Sequence, residues 1–166
     1  MCQKKISLKS VVRALCVCLG LALLLSGCGG KDVTPPLPKV TGKGKDVVST
    51  AYSQMGKRYR AGGASPQKGF DCSGLIWWTY RKNGIRVPRI TKDQARAGFS
   101  VPKHRAEPGD IVVFRTSQGP QGLHTGIYIG SNTFIHSPRR GERVRMESME
   151  IPYWKSKLTS VRRVIP

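Results

Sequence analysis

Acidic residues, histidines and long apolar runs are all scarce in this chain of 166 residues. Only 9 Asp and Glu stand against 29 Lys and Arg, which gives a formal charge of +20. The longest apolar run, residues 14–25, is shorter than the roughly 18 residues that cross a bilayer, so a multi-spanning transporter or channel is excluded. A hydrophobic fraction of 39% argues against disorder. The length suits one ordinary domain.

The five cysteines include no CxxC pair, which is the spacing that most often holds zinc. We therefore expect neither a metal ion nor another cofactor. Cys28 and Cys72 are the only cysteines after residue 27. If Cys28 is modified, Cys72 has no disulfide partner and is a lone thiol that is either buried or used in chemistry.

The first 28 residues have the pattern of an export signal. Basic residues without any acid precede the apolar run, which has the length of a secretory hydrophobic region. The run ends in the sequence Leu25-Ser26-Gly27-Cys28, which resembles the lipobox of bacterial lipoproteins. We predict that residues 1–27 are removed and that Cys28 carries lipid, which anchors the protein to a membrane of the cell envelope. Because Gly29 follows Cys28 in place of Asp, we expect the periplasmic face of the outer membrane.

Residues 28–45 are rich in glycine and proline and show no apolar periodicity, which predicts a flexible tether. The processed chain would keep 25 basic and 9 acidic residues, a net charge of +16. Such a charge favours an anionic polymer or anionic lipid as partner, and export makes nucleic acid an unsuitable one. We expect residues 46–166 to form one domain and the protein to be a monomer.

Helical periodicity comes first in this domain and strand periodicity second. Helices are predicted at 46–55 and 72–83, and Thr91 and Gln94 have the spacing of a capping box that opens a third helix. Strands are predicted at 111–114, 124–129, 133–137, 143–147 and 161–165, and 58–70 as a loop. This order indicates an α+β fold with an antiparallel sheet.

Two of the three histidines lie on neighbouring predicted strands. A three-residue turn centred on Ser131 would pair Tyr128 with Phe134 and make His124 and His136 diagonal neighbours on one face. A turn one residue shorter or longer would move His136 to the other face.

Cys72 opens the second predicted helix, where the positive end of the helix dipole favours a thiolate. We predict that Cys72 attacks a carbonyl carbon, that His124 moves its proton, and that His136 fixes the tautomer of His124. The N–H groups of the first helical turn, and the Tyr59 hydroxyl, would face the developing oxyanion.

These residues belong to a set of five short motifs in a characteristic order. The motifs are Tyr59-Arg60-Ala61-Gly62-Gly63, Asp71-Cys72-Ser73-Gly74-Leu75, Pro108-Gly109-Asp110-Ile111, His124-Thr125-Gly126-Ile127-Tyr128-Ile129-Gly130 and Phe134-Ile135-His136. Together they resemble the NlpC family of papain-like cell-wall peptidases, and most of all its lipid-anchored Spr-type murein endopeptidases. The resemblance covers residues 46–166.

The resemblance implies hydrolysis of amide bonds in peptidoglycan stem peptides, either the γ-D-glutamyl–diamino acid bond or a crosslink. It implies Cys72 as nucleophile, His124 as base, His136 as orienting residue and Tyr59 as a positioning hydroxyl. Ser73 would assist at the oxyanion and Asp71 would contact substrate, although Asp71 also suits the N-cap of its helix.

Two other functions remain open on the sequence. One is a wall-binding or scaffolding lipoprotein that has kept the fold without turnover. The other is acyl transfer, as in an amidase or acyltransferase, on the same Cys-His site.

Overall fold

A computed structural model describes residues 42–117 and 120–165. The predicted signal, Cys28 and the tether up to residue 41 lie outside these ranges. Within them the helices are α1 (Gly42–Tyr52), α2 (Cys72–Lys82), α3 (Thr91–Gln94) and α4 (Pro152–Lys157), and 3-10 segments cover Lys103–Arg105 and Pro120–Gly122. The strands are β1 (Ala64–Ser65), β2 (Gly69–Phe70), β3 (Phe99–Val101), β4 (Ile111–Arg115), β5 (Leu123–Gly130), β6 (Thr133–His136), β7 (Arg145–Ser148) and β8 (Leu158–Arg163).

Six strands form one antiparallel sheet in the order β3-β8-β4-β5-β6-β7, and β1 pairs with β2 separately. The predicted α+β class is confirmed. None of the helices in the two described ranges is both long and apolar enough to span a membrane.

Both faces of the sheet are covered, because alternate side chains of the central strands enter two different cores. Ile111 and Val113 of β4 join the apolar faces of α1 and α2, whereas Val112 and Phe114 join a second core around Trp154 of α4. Burial on both faces explains why β4 is apolar at four consecutive positions, IVVF.

The first helix begins four residues before its predicted start. Val47, Val48 and Ala51 are buried as the periodicity predicts, but residues 42–45 are helical as well. A Cβ at Gly109 would lie 3.0 Å from the Cα of Gly44, so the start of α1 packs closely against the turn before β4. This contact between distant segments is invisible to local periodicity.

The predicted capping box is wrong. Thr91 is the first residue within α3, and Ile90 precedes it without a side-chain cap. Gln94 does not reach back along its own helix. Its amide nitrogen donates to the carbonyl oxygens of Ser73 (2.9 Å) and Pro88 (2.8 Å), so tertiary hydrogen bonds replace the local one.

The hairpin between β5 and β6 has the predicted register but a different turn. Tyr128 pairs with Phe134, as expected. However, Gly130 pairs with Thr133 across a two-residue turn in which Ser131 and Asn132 both have positive φ, 49° and 52°. A bulge between Tyr128 and Gly130 adds one residue to β5 and thereby restores the register.

Candidate active site

Cys72 occupies the first position of α2, directly after the extended N-cap residue Asp71. The side chain is buried, with 3% of its surface exposed. Its sulfur lies 3.7 Å from the Thr91 hydroxyl and against the peptide N–H groups of Thr125 and Ser73. The thiol is therefore held between the start of α2, α3 and β5.

The thiolate that the helix start was expected to favour at Cys72 is disfavoured in this environment. Burial raises the pKa of Cys72, and the nearby carboxylate of Asp71 raises it further. The hydrogen bond with Thr91 and the two peptide N–H groups act in the opposite direction but do not outweigh burial. The resting thiol is thus protonated, and a neighbouring base has to remove its proton during reaction.

Asp71 caps α2 and also ties two loops to it. One carboxylate oxygen accepts from the N–H of Gly74 at 2.6 Å, and the other accepts from the N–H of Gly62 at 2.9 Å. Arg89 donates to both oxygens, at 3.0 and 2.9 Å, and Ser73 donates at 3.2 Å. The carboxylate already accepts five hydrogen bonds from the protein, so its predicted contact with substrate stays a prediction.

His124 and His136 lie in contact on one face of the sheet. The Nε2 atom of His124 is 2.8 Å from Nδ1 of His136, and the two rings are nearly perpendicular at 87°. Their exposed fractions are 4% and 0%. The contact engages Nε2 of His124 and leaves its Nδ1 as the nitrogen that can accept a proton from elsewhere.

Burial keeps both imidazoles neutral. It lowers the pKa of His124 to about 3, with a further decrease caused by His136. Burial also lowers the pKa of His136, against the opposing effect of Glu147. At neutral pH each ring therefore has one nitrogen that donates and one that accepts.

Behind His136, a glutamate is held by two donors. Glu147 on β7 accepts hydrogen bonds from the indole N–H of Trp154 and from Arg145, the latter at 2.7 Å. Its Oε2 lies 3.7 Å from Nε2 of His136. The ring of Trp154 packs against both histidines, at centroid distances of 5.5 and 5.2 Å. Trp154 thus fixes the histidine pair and the glutamate at once.

The Tyr59 side chain is half-buried and close enough to Cys72 and Asp71 to interact with their charges. Burial raises its pKa, and these two groups raise it further, so the phenol remains a hydrogen-bond donor. At the helix start, the N–H of Gly74 is bonded to Asp71 and that of Ser73 faces the thiol. The N–H of Cys72 heads the helix and has no acceptor within it.

The predicted residues form two groups in the structure, Cys72 with its neighbours on α2 and Tyr59 in one and the pair of His124 and His136 in the other. In the described residues, no hydrogen bond joins the Cys72 sulfur to His124, and the thiol lies beside Thr125, the next residue along β5. Two cavities of about 360 Å³ flank these groups. One is lined by Asp71, Ser73 and Thr91, and the other by His124 and Trp154.

Four residues of this site were not predicted from sequence as parts of it: Arg89, Gln94, Glu147 and Trp154. Glu147 is an acid at the end of a predicted strand in a chain with few acids, which is a weak signal. Arg89 carries no signal in its spacing. Among the residues that the structure describes, no group of three or more His, Cys, Asp or Glu side chains is placed to hold a metal ion.

Comparison with known proteins agrees with the family resemblance of the five sequence motifs. The NlpC/P60 family model matches residues 56–163. The chain is 34% identical over 172 aligned residues to the Escherichia coli murein DD-endopeptidase MepS/murein LD-carboxypeptidase, covering 89% of each sequence. It is 38% identical over 130 residues to E. coli murein DD-endopeptidase MepH, covering 76% of this chain and 48% of MepH.

A solved NlpC/P60 family protein from Bacillus cereus superposes with a TM-score of 0.69 at 32% identity. The match covers 79% of this chain and 42% of that protein. The chain thus spans about half the length of MepH, and less than half that of the B. cereus protein, but nearly the whole of MepS.

Proposed function

This chain belongs to the NlpC/P60 family, and from that premise we propose that it is a cysteine peptidase that hydrolyses amide bonds in peptidoglycan stem peptides. The observation that supports this most directly is the arrangement at the start of α2 and β5. A buried thiol lies against the peptide N–H of Thr125, and the residue before Thr125 on β5, His124, belongs to a buried, hydrogen-bonded pair of neutral histidines. Such a set can supply a nucleophile, a base and an orienting group.

The first half of the reaction includes proton transfer from Cys72 Sγ to Nδ1 of His124. Since the thiol pKa is raised and that of His124 lowered, the ion pair is unfavourable at rest. Transfer therefore accompanies attack on the carbonyl carbon, once substrate brings sulfur and imidazole within hydrogen-bond reach. The C–S bond forms, the carbonyl becomes an oxyanion, and the N–H of Cys72 with the Tyr59 hydroxyl donates to that oxygen.

The second half of the cycle restores the enzyme. The imidazolium of His124 gives its proton to the amide nitrogen as the C–N bond breaks, and the amine leaves. Water then attacks the thioester, His124 accepts a proton from it, and the acid departs with regeneration of the thiol. His136 holds the His124 ring in one orientation through both halves.

Among the amide bonds of peptidoglycan, we place the crosslink between two stem peptides first. MepS, a relative of nearly the same length, is named a DD-endopeptidase, and so is MepH. Cleavage of the γ-D-glutamyl–diamino acid bond is the other expected outcome within the same chemistry. The two reactions give products of different mass from one defined muropeptide.

The test is incubation of the purified full chain with sacculi and with a crosslinked muropeptide, followed by mass spectrometry. We expect new amines, with no release by a Cys72→Ala variant that has the same thermal unfolding as the parent. Binding without release by the parent at any dose would instead favour a silent wall-binding protein. Transfer of the acyl group to an added amine, without hydrolysis, would favour an acyltransferase.

We also propose that the protein is a lipoprotein anchored through Cys28 on the periplasmic face of the outer membrane. The support is in the sequence: a basic segment, a short apolar run and the Leu25–Cys28 motif, with Gly29 following the cysteine. The protein would then act as a monomer on the wall beside its membrane. The net charge of +16 on the processed chain suits capture of an anionic polymer.

Anchoring is tested by fractionation and metabolic lipid labelling. The parent should take up labelled palmitate and separate with the outer membrane. A Cys28→Ala variant should lose the label and keep the unprocessed precursor mass. A parent found only in the inner membrane would contradict the sorting proposal, and an unlabelled parent would contradict the anchor itself.

A further inference from the structure

The side chain of Glu147 has no assigned role, although it lies at the end of the histidine pair. Its carboxylate is fixed from two sides, by Arg145 and by the indole N–H of Trp154. One of its oxygens lies 3.7 Å from Nε2 of His136. That nitrogen is fully buried and has no hydrogen-bond partner in the described residues.

A buried imidazole nitrogen without a partner is costly, and it is least costly when it carries a proton directed at an anion. The groups that face His136 are Glu147 and Arg145 from β7 and His124 from β5. Of these, only Glu147 is an anion. It stays ionised, since contacts with His136, Arg145 and Trp154 outweigh the effect of burial and lower its pKa to about 2.

We propose that Glu147 is a positioning residue that holds the proton of His136 on Nε2 and thereby orients the catalytic base. With the proton on Nε2, Nδ1 of His136 is an acceptor, and the 2.8 Å contact requires His124 to donate from Nε2. His124 then presents an unprotonated Nδ1, which is the form that can take a proton from Cys72. A single carboxylate thus sets both tautomers.

The same carboxylate acts again during the reaction. When His124 becomes an imidazolium, the hydrogen bond that it donates to Nδ1 of His136 stabilises the positive charge, and the Nε2–H of His136 stays directed at the anion of Glu147. This inference rests on the proposed function, in which His124 is the base. In this role Glu147 acts through His136, so its loss should reduce kcat more than it changes KM.

The first experiment is long-range ¹H–¹⁵N NMR of the purified full chain with labelled histidine at neutral pH. We expect His136 with the proton on Nε2 and His124 likewise, so that both Nδ1 signals are of the unprotonated type. A proton on Nδ1 of His136 in the parent overturns the proposal whatever the variants do.

The second experiment uses two variants of Glu147. In Glu147→Leu the anion is gone, so we expect a second tautomer of His136 and a loss in kcat of at least about 10-fold, within the usual effect of a misplaced base. In Glu147→Gln the amide oxygen can still accept from His136, so the original tautomer and most of the activity should return. Glu150→Gln, which removes a surface carboxylate bonded to Lys103 and Lys155, is the matched control.

Failure of this inference is distinct from failure of the proposed function. The NMR spectra need no substrate, so a parent with the expected tautomers but no hydrolysis would contradict the function and leave the tautomer assignment standing. A parent that hydrolyses murein, with Glu147→Leu retaining kcat within about twofold, would overturn the role of Glu147. If Glu147→Leu does not fold, the parent spectrum and Glu147→Gln decide the matter.

Discussion

Replacing Asp71 by Asn should separate its structural role from its effect on the thiol. The substitution keeps an oxygen for the N–H of Gly74, and Asn caps helices about as well as Asp. It removes the charge that Arg89 binds at 2.9 and 3.0 Å, and it turns an amide NH₂ toward the remaining donors, Arg89 and Gly62. The change is therefore directed at the ion pair and not at the cap.

The magnitude follows from the burial of the pair. Side-chain exposures of 13% for Asp71 and 31% for Arg89 place it between a surface ion pair, worth up to about 1 kcal/mol, and a buried one, whose disruption costs about 3–5 kcal/mol. We expect a loss of about 2 kcal/mol in the free energy of unfolding, or roughly 8 °C in Tm for a domain of this size.

Urea unfolding of the full chain, for the parent, D71N, R89M and the double variant, measures this. The cycle should give a coupling free energy of about 1–2 kcal/mol, because each single variant already removes the pair. In the same samples Cys72 should alkylate faster at neutral pH in D71N, since the charge of Asp71 raises the thiol pKa. An unchanged free energy of unfolding in D71N and R89M, with a coupling free energy of zero, would refute the structural role of Asp71. Substrate binding would then be its only remaining role.

Three further outcomes are expected. Burial lowers the pKa values of both histidines, that of His124 to about 3, so the unfolded chain binds more protons than the folded chain between about pH 3 and 6.5. The free energy of unfolding should therefore be highest above pH 6.5 and decrease as the pH is lowered through this window. Urea unfolding of a His124→Gln variant should show a smaller decrease. Gly74→Ala would place a Cβ in collision with the carbonyl oxygen of Gly63, so it should lower Tm and slow turnover together, and an active variant with parental Tm would contradict this packing. Binding of a Cys72→Ala variant to sacculi should weaken steeply with added salt, whereas turnover of a small muropeptide by the parent should change little; flat binding would mean that the charge of the chain has another use.

The sequence alone predicted the class of the fold, which the structure confirms, and the candidate residues of the site. Helical periodicity identified α2, a short apolar run after a turn identified β4, and alternation identified β5 and β6, because all three patterns are local consequences of which side chains must be buried. The five short motifs indicated the family, which the comparisons confirm. The position of Cys72 at a helix start also followed from local pattern, since Asp71 is a good N-cap.

The properties of the thiol could not be read in the same way. A helix N-terminus favours a thiolate, but burial between α2, α3 and β5 dominates, and burial is a property of the packed chain. The roles of Thr91 and Gln94 also could not be predicted from local sequence. Their spacing suits a local capping box, yet in the fold they bond to Cys72 and Ser73, which are about twenty residues away.

The register of the histidines shows most clearly what the sequence determined and what it left to the tertiary structure. The alternation of β5 and β6 predicted that His124 and His136 share a face, but the turn between them has two residues and not three. On its own, that turn would shift the pairing by one residue and turn His136 away. The bulge before Gly130 corrects the shift, because Tyr128 and Phe134 have to enter the core around Trp154. The sequence therefore determines which residue types the site contains, whereas the packing of the core around Trp154 brings the two imidazoles into contact.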